Sequence, residues 1–174
     1  MRFLLSILCA VWMPRLFGES SLPFRNVEAE HVDYDEKHLH LVGNVRVEHD
    51  FGIMKCHECT LLLRQEKKEG EAMPLDHIFL KEDVCIDFSD GSRLQCDEGT
   101  INCGSLNGIF TSTDPRKVVY TTFMANGSTR TPVTATSRTL HASITKTEDG
   151  YALKRLQGEG AVNIAYAKEQ EATN

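Results

Sequence analysis

The sequence predicts an all-β domain of antiparallel strands, built from a repeat and left open at its ends. Three observations carry that expectation. One segment recurs at a spacing near 39 residues, apolar and polar residues alternate within each copy, and turn signals separate the runs.

The repeat is clearest in Met54 to Leu61, which aligns without gaps on Leu94 to Ile101 and on Val133 to Leu140. All three copies share an apolar start, a small residue two positions on (Cys56, Cys96, Ala135), a threonine (Thr60, Thr100, Thr139) and a closing aliphatic. A second element keeps the same beat. Gly43-Asn44-Val45-Arg46-Val47 is echoed by Glu82-Asp83-Val84-Cys85-Ile86 and by Gly160-Ala161-Val162-Asn163-Ile164, so the valines are separated by 39 and 78 residues. The absent copy falls near residue 123, where Lys117 to Thr121 reads as a displaced version.

Within each element the period is two. Leu39, Leu41, Val45 and Val47 alternate with polar neighbours, as do Val84, Ile86 and Phe88, and Val162, Ile164 and Tyr166. That period puts one row of side chains inside and the other in water. Turns are expected at Val42-Gly43-Asn44, Asp50-Phe51-Gly52, Ser89 to Ser92, Ser105 to Gly108, Asn126-Gly127 and Glu148-Asp149-Gly150. The stretch from Leu61 to Ala72 has helix-forming residues, but its Glu66 to Gly70 centre is expected to be an exposed loop between strands.

Short strands at this spacing build a sandwich, a barrel or a solenoid-like stack. One repeat cannot bury its apolar row alone. Stacked copies close a continuous interior and leave the terminal strands as edges. A trough of that kind accepts an elongated apolar ligand, or another copy by strand addition.

Residues 1–18 stand apart. Arg2 precedes an apolar run from Phe3 to Met13, which Pro14-Arg15 ends. The run matches a secretory signal and is short for a bilayer span, so residues 1–18 are expected to be a signal peptide and 19–174 the mature domain. The rival reading is an uncleaved anchor from Phe3 to Gly18. Cleavage would take away two basic residues and no acid, moving the formal charge from −6 to −8. Such a balance excludes nucleic acid as a partner, and any lipid would be held by its tails rather than its headgroup.

No catalytic site is expected. The sequence has no nucleophile elbow, phosphate loop or His-Glu-x-x-His pattern, so neither enzymatic activity nor a cofactor is anticipated. Five cysteines follow the leader, an odd number that cannot form a closed disulfide framework. Cys56-His57-Glu58-Cys59 resembles a metal or redox motif. On a regular strand, however, residues three apart face opposite ways, and no metal site is expected. A disulfide between the repeat-equivalent Cys56 and Cys96 is the alternative to small buried thiols at these positions and at Cys59, Cys85 and Cys103. The candidate ligand contacts are Val32, Tyr34, Leu39, Leu41, Val45, Val47, Val84, Ile86, Phe88, Phe110, Val162 and Ile164. Arg46, Lys55, Arg93, Arg116 and Lys117 are candidate rim contacts for phosphate, or else solvated surface charges.

Val27 to Asp35, with Ala29 ahead of Tyr34, followed by Leu39-His40-Leu41-Val42-Gly43-Asn44-Val45-Arg46-Val47, resembles the opening strands of the LptA/OstA-like family. Met54 to Leu63 resembles the strand after them, and the copies at 94 and 133 extend the likeness to about residue 166. The resemblance implies a folded-over β-jellyroll, or β-taco, in the periplasm. It implies a carrier that shields the acyl chains of lipopolysaccharide or lipooligosaccharide between inner and outer membrane. Its partners would be transport components of both membranes, and copies would associate head to tail. A membrane-anchored jellyroll relative of the same pathway shares that fold, and a structural envelope-assembly module is a further alternative. The sequence departs from the family pattern in Glu82-Asp83 and Gly160-Ala161, which replace the Gly-Asn pair, and in its frequent cysteines.

Overall fold

A computed structural model describes residues 24–64, 75–126, 129–147 and 150–166. The expected leader, the Glu66 to Gly70 loop, Gly127 and the Glu148-Asp149 turn lie outside the described residues. Among the described residues, twelve strands form one antiparallel sheet that does not close into a barrel. They are β1 (Phe24–Glu28), β2 (His31–Asp35), β3 (His38–His49), β4 (Gly52–Leu63), β5 (Leu75–Phe88), β6 (Arg93–Asn102), β7 (Asn107–Thr111), β8 (Val118–Asn126), β9 (Thr129–Ser137), β10 (Thr139–Thr147), β11 (Gly150–Glu159) and β12 (Asn163–Tyr166). Leu61 to Leu63 end strand β4 and are not helical.

The pairing resolves into two ladders that share the four long strands. One runs β2-β3-β4-β5-β6-β7-β10-β11. The other uses the opposite ends of β3 to β6 and runs β1-β3-β4-β5-β6-β8-β9-β12. The chain is thus a meander of eight segments, four continuous and four broken, and each crosses from one ladder to the other at a corner.

The two sequence elements of the repeat are two ways of making that corner. On β3 the register breaks between Val42 and Val45, where Gly43 and Asn44 have φ of 82° and 46°. On β5 it breaks between Lys81 and Val84, where Glu82 and Asp83 have φ of 59° and 52°. Gly160 and Ala161, with φ of 72° and 49°, join β11 to β12. The three dipeptides share no residue pattern, yet each is a left-handed pair that adds residues to one strand and bends it. In the intervening segments the inward row changes phase instead. Met54 and Cys56 give way to Cys59, Leu61 and Leu63 on β4, and Leu94 and Cys96 to Gly99 and Ile101 on β6.

The displaced copy is also found. Between β7 and β8 the corner is enlarged to residues 112–117, with a cis Asp114-Pro115 bond, and Val118 is fully buried just after it. One expectation needs correction. Tyr120 pairs with Leu94 on one side and Ala135 on the other, and Phe110 pairs with both Gly99 and Leu140. The third copy therefore sits two residues away from its gapless sequence alignment, which had matched Leu94 with Val133. Apolar start and closing aliphatic recur at many positions of an alternating strand, so a two-residue slip leaves the inward row unchanged.

Corners are closed by backbone bonds from the neighbouring segment. The Glu30 N–H donates to the carbonyls of Val42 and Gly43 (3.1 and 3.0 Å), and the Asn44 amide donates to the Glu30 carboxylate. At the far end the Arg138 N–H donates in the same way to Glu159 and Gly160, at 3.1 Å each. The core is a single apolar cluster on the inner face of β3 to β8 and β10.

Candidate ligand trough

Seven of the predicted contacts lie in that cluster. Leu41, Val45, Val47, Val84, Ile86, Phe88 and Phe110 are all buried, packed with Met54, Leu61, Ile78, Leu80, Leu94 and Ile101. Leu39 is partly buried against them. The remaining four are outside. Val32 and Tyr34 on edge strand β2 are 46% and 48% exposed, and Val162 and Ile164 at edge strand β12 are 52% and 54% exposed. Alternation does not distinguish an inner strand from an edge, so the sequence places these four inward when they mark the two open ends. Tyr166, also on β12, is exposed as well.

The two ladders meet at their rims. Tyr151, at the start of β11, stands edge-on to Phe51 (6.4 Å between ring centroids, 82°) and near His49 (6.1 Å). Phe51 belongs to the turn between β3 and β4, at the far end of the opposite ladder. The Ser89 hydroxyl, in the turn between β5 and β6, donates to the Tyr151 carbonyl at 2.9 Å. Phe51 also touches Phe88 (6.5 Å). This aromatic clasp was not anticipated from sequence, because Phe51 sits in a turn signal and Tyr151 directly follows one. Burial holds the His49 imidazole below its usual pKa; the nearby Asp50 opposes that shift and Arg25 adds to it.

The outer face is an ion-pair lattice. Each predicted rim cation has a carboxylate neighbour: Arg46 with Glu28 and Glu48, Lys55 with Asp87 (3.9 Å), Arg93 with Asp87 (2.6 Å), Arg116 with Asp97 (3.0 Å) and Asp83 (3.4 Å), and Lys117 with Asp114 (2.6 Å). These charges are matched within the chain, which removes the reason to assign them to phosphate.

The cysteines follow the corners. Cys56 lies on β4 and Cys96 on β6, with β5 between them and Val84 opposite Cys96. Two strand spacings are about 10 Å, beyond the reach of a disulfide, so the Cys56–Cys96 bridge is ruled out by the register. The phase change on β4 also overturns the opposite-face reading of Cys56 and Cys59, since both are buried on the inner side. Burial pushes the Cys96 and Cys103 thiols up to about 12, as expected of inert structural thiols. No cluster of three or more potential metal ligands occurs among the described residues. No helix among them is long and apolar enough to cross a membrane.

Compared with protein-family models, curated proteins and solved structures, the chain gives no significant match to any of them.

Proposed function

We propose that the chain is a periplasmic lipid carrier of the LptA/OstA-like kind, a β-taco whose two ladders enclose the acyl chains of lipopolysaccharide or lipooligosaccharide. The observation that carries this reading is the single apolar cluster lining the inner face of β3 to β8 and β10, flanked by half-exposed apolar side chains on the edge strands β2 and β12. A sandwich closed for stability alone has no need of exposed apolar side chains on its edge strands. The resemblance of Ala29 to Val47 supplies the substrate class and the partners, which are transport components of the inner and outer membranes. On this reading the chain is not an enzyme and its grip is on tails, since the five predicted rim cations already have carboxylate neighbours.

The test is photo-crosslinking. A photoreactive residue at Val47, Ile86 or Phe110 is expected to capture purified lipopolysaccharide, and one at the outward Lys55 or Gln95 is not. Equal capture at inward and outward positions, or none at either, removes the carrier reading. A second reading, an assembly module that polymerises by strand addition, is favoured by the exposed Val32, Tyr34, Ile164 and Tyr166 on the two edge strands. It predicts concentration-dependent oligomers without lipid capture.

A further inference from the structure

A histidine stands inside the aromatic clasp that joins the two ladders. His49, the last residue of β3, is half-buried at the rim. Three rings surround it: Phe51 at 4.3 Å between centroids, Phe24 at 5.9 Å and Tyr151 at 6.1 Å. The Phe51 N–H donates to His49 Nδ1 at 3.3 Å. That bond needs a lone pair on Nδ1, which the neutral ring supplies when its proton sits on Nε2. Two further bonds continue from Phe51. Its carbonyl accepts the Ser89 N–H at 3.1 Å, and the Ser89 hydroxyl donates to the Tyr151 carbonyl at 2.9 Å. The series His49, Phe51, Ser89, Tyr151 therefore crosses from one ladder to the other and begins at a nitrogen that can take up a proton.

We propose that His49 makes the clasp a proton-operated latch, closed while the ring is neutral and released when it is protonated. A protonated Nδ1 is a donor that faces the Phe51 N–H, so the first bond of the series is lost. Burial is the largest effect on the ring and disfavours its cation, whereas a parted rim returns it to water. The surrounding charges do not reverse this. Among the described residues, the carboxylate that acts on the ring is Asp50, and Arg25 already engages it at 3.2 Å. Glu48 on β3 pairs with Arg46, Asp87 on β5 with Arg93 and Lys55, and Asp90 accepts the Ser92 N–H in the β5–β6 turn. Lys146 on β10, the register partner of Tyr151, is a cation as well. The open rim thus binds the proton better than the closed one, and acid shifts the latch towards open. With an open-state value near 6.5, the open population rises by at most about 30-fold between about pH 7.5 and about pH 5.

The latch rests on the two-ladder fold and not on what the trough carries, so its test needs no lipid. Amide hydrogen exchange of the full chain is followed by mass spectrometry at about pH 7.5 and about pH 5, each rate being divided by the intrinsic rate at that pH. The Phe51 and Ser89 amides report on the rim, and the segment from Leu94 to Ile101 reports on the core. The rim is expected to lose protection at the lower pH while the core keeps its own, and His49→Phe is expected to hold the rim equally protected at both. An unchanged rim in the parent chain overturns the proposal. So does a loss that the core shares, or a rim loss that survives in His49→Phe. His49→Gln, neutral at both pH values, takes its place if that variant does not fold. A failed latch leaves the capture of lipopolysaccharide at inward positions untouched, so the two readings fail separately.

Discussion

The Phe110 ring rests on two glycines, and that seat makes a stringent test of the packing. Gly99 pairs directly with Phe110 across the ladder, and Gly108 lies two residues before it on β7. A Cβ built on Gly99 would lie 2.8 Å from Cδ1 and 3.1 Å from Cε1 of the ring. One built on Gly108 would lie 2.7 Å from Cε2 and 2.8 Å from Cζ. Comfortable carbon contact begins near 3.5 Å, so in Gly99→Ala the ring must retreat by roughly 0.7 Å. It cannot slide along the sheet, because its other edge is already seated on Gly108, and it is fully buried beneath its neighbours. Overpacking of this kind costs about 1–3 kcal/mol, and the two-sided confinement points to the upper half of that range. Phe110→Leu alone loses ring contacts, but it vacates the space that the new methyl needs. In urea unfolding followed by far-UV circular dichroism, the double variant Gly99→Ala/Phe110→Leu is therefore expected to cost at least about 1 kcal/mol less than the sum of the singles, as for coupled neighbours. Additivity within about 0.5 kcal/mol would refute the seat, and so would a Gly99→Ala variant as stable as the parent.

Other consequences follow from the corners, the clasp and the inner row. Gly43→Ala puts a side chain at φ 82° and within 2.9 Å of three Glu30 side-chain atoms, so its denaturation midpoint is expected to fall. Glu82→Gly relieves a left-handed residue, worth about 1–2 kcal/mol less the extra backbone entropy of glycine, and its midpoint is expected to rise slightly. His49 is held below the value near 6.5 that it has in the unfolded chain, so the unfolded state binds the proton more readily. Its contribution is fully present above that pH and is lost as pH falls towards the folded value; His49→Phe is expected to flatten the stability profile between about pH 7 and 5. The inward-selective capture of lipopolysaccharide completes the set.

The repeat was legible because its two elements carry different physics. The valine after each left-handed corner is apolar for the same reason in β3 and β5: it is the first inward residue beyond the bend. The corner itself was not legible. Gly43-Asn44 announces positive φ, but Glu82-Asp83 does not, and only the pairing of Lys81 with Glu98 and Val84 with Cys96 reveals the same geometry. Composition at a corner is free to vary because its backbone bonds come from main-chain groups, as in the Glu30 and Arg138 closures. The edge strands misled for the opposite reason. Val32, Tyr34, Val162 and Ile164 keep the apolar alternation of an inner strand, although about half of each is exposed among the described residues. The phase change that turns both cysteines of β4 inward is invisible to a strict period of two, because the period resumes unchanged on either side.

The packed interior constrains how a lipid would bind. Leu41, Val47, Met54, Ile86 and Phe110 leave almost no surface to solvent, so an acyl chain meets an inner row already packed on itself. It must part the ladders, beginning at the Tyr151 clasp or at an open edge, and replace contacts that the inner rows now make with one another. About ten methylenes leaving water gain roughly 8 kcal/mol, but little of that survives as affinity when side-chain contacts and the clasp are given up in exchange. The same arithmetic makes release easy, since the inner rows close on themselves as the tail leaves. A corner that stays fixed while the rims separate suits this exchange, because the left-handed pairs and their backbone bonds need not change. On the carrier reading, that puts the movement at Tyr151, Phe51 and Ser89, and a low-affinity carrier that hands lipid onward then fits the fold better than a tight binder that stores it.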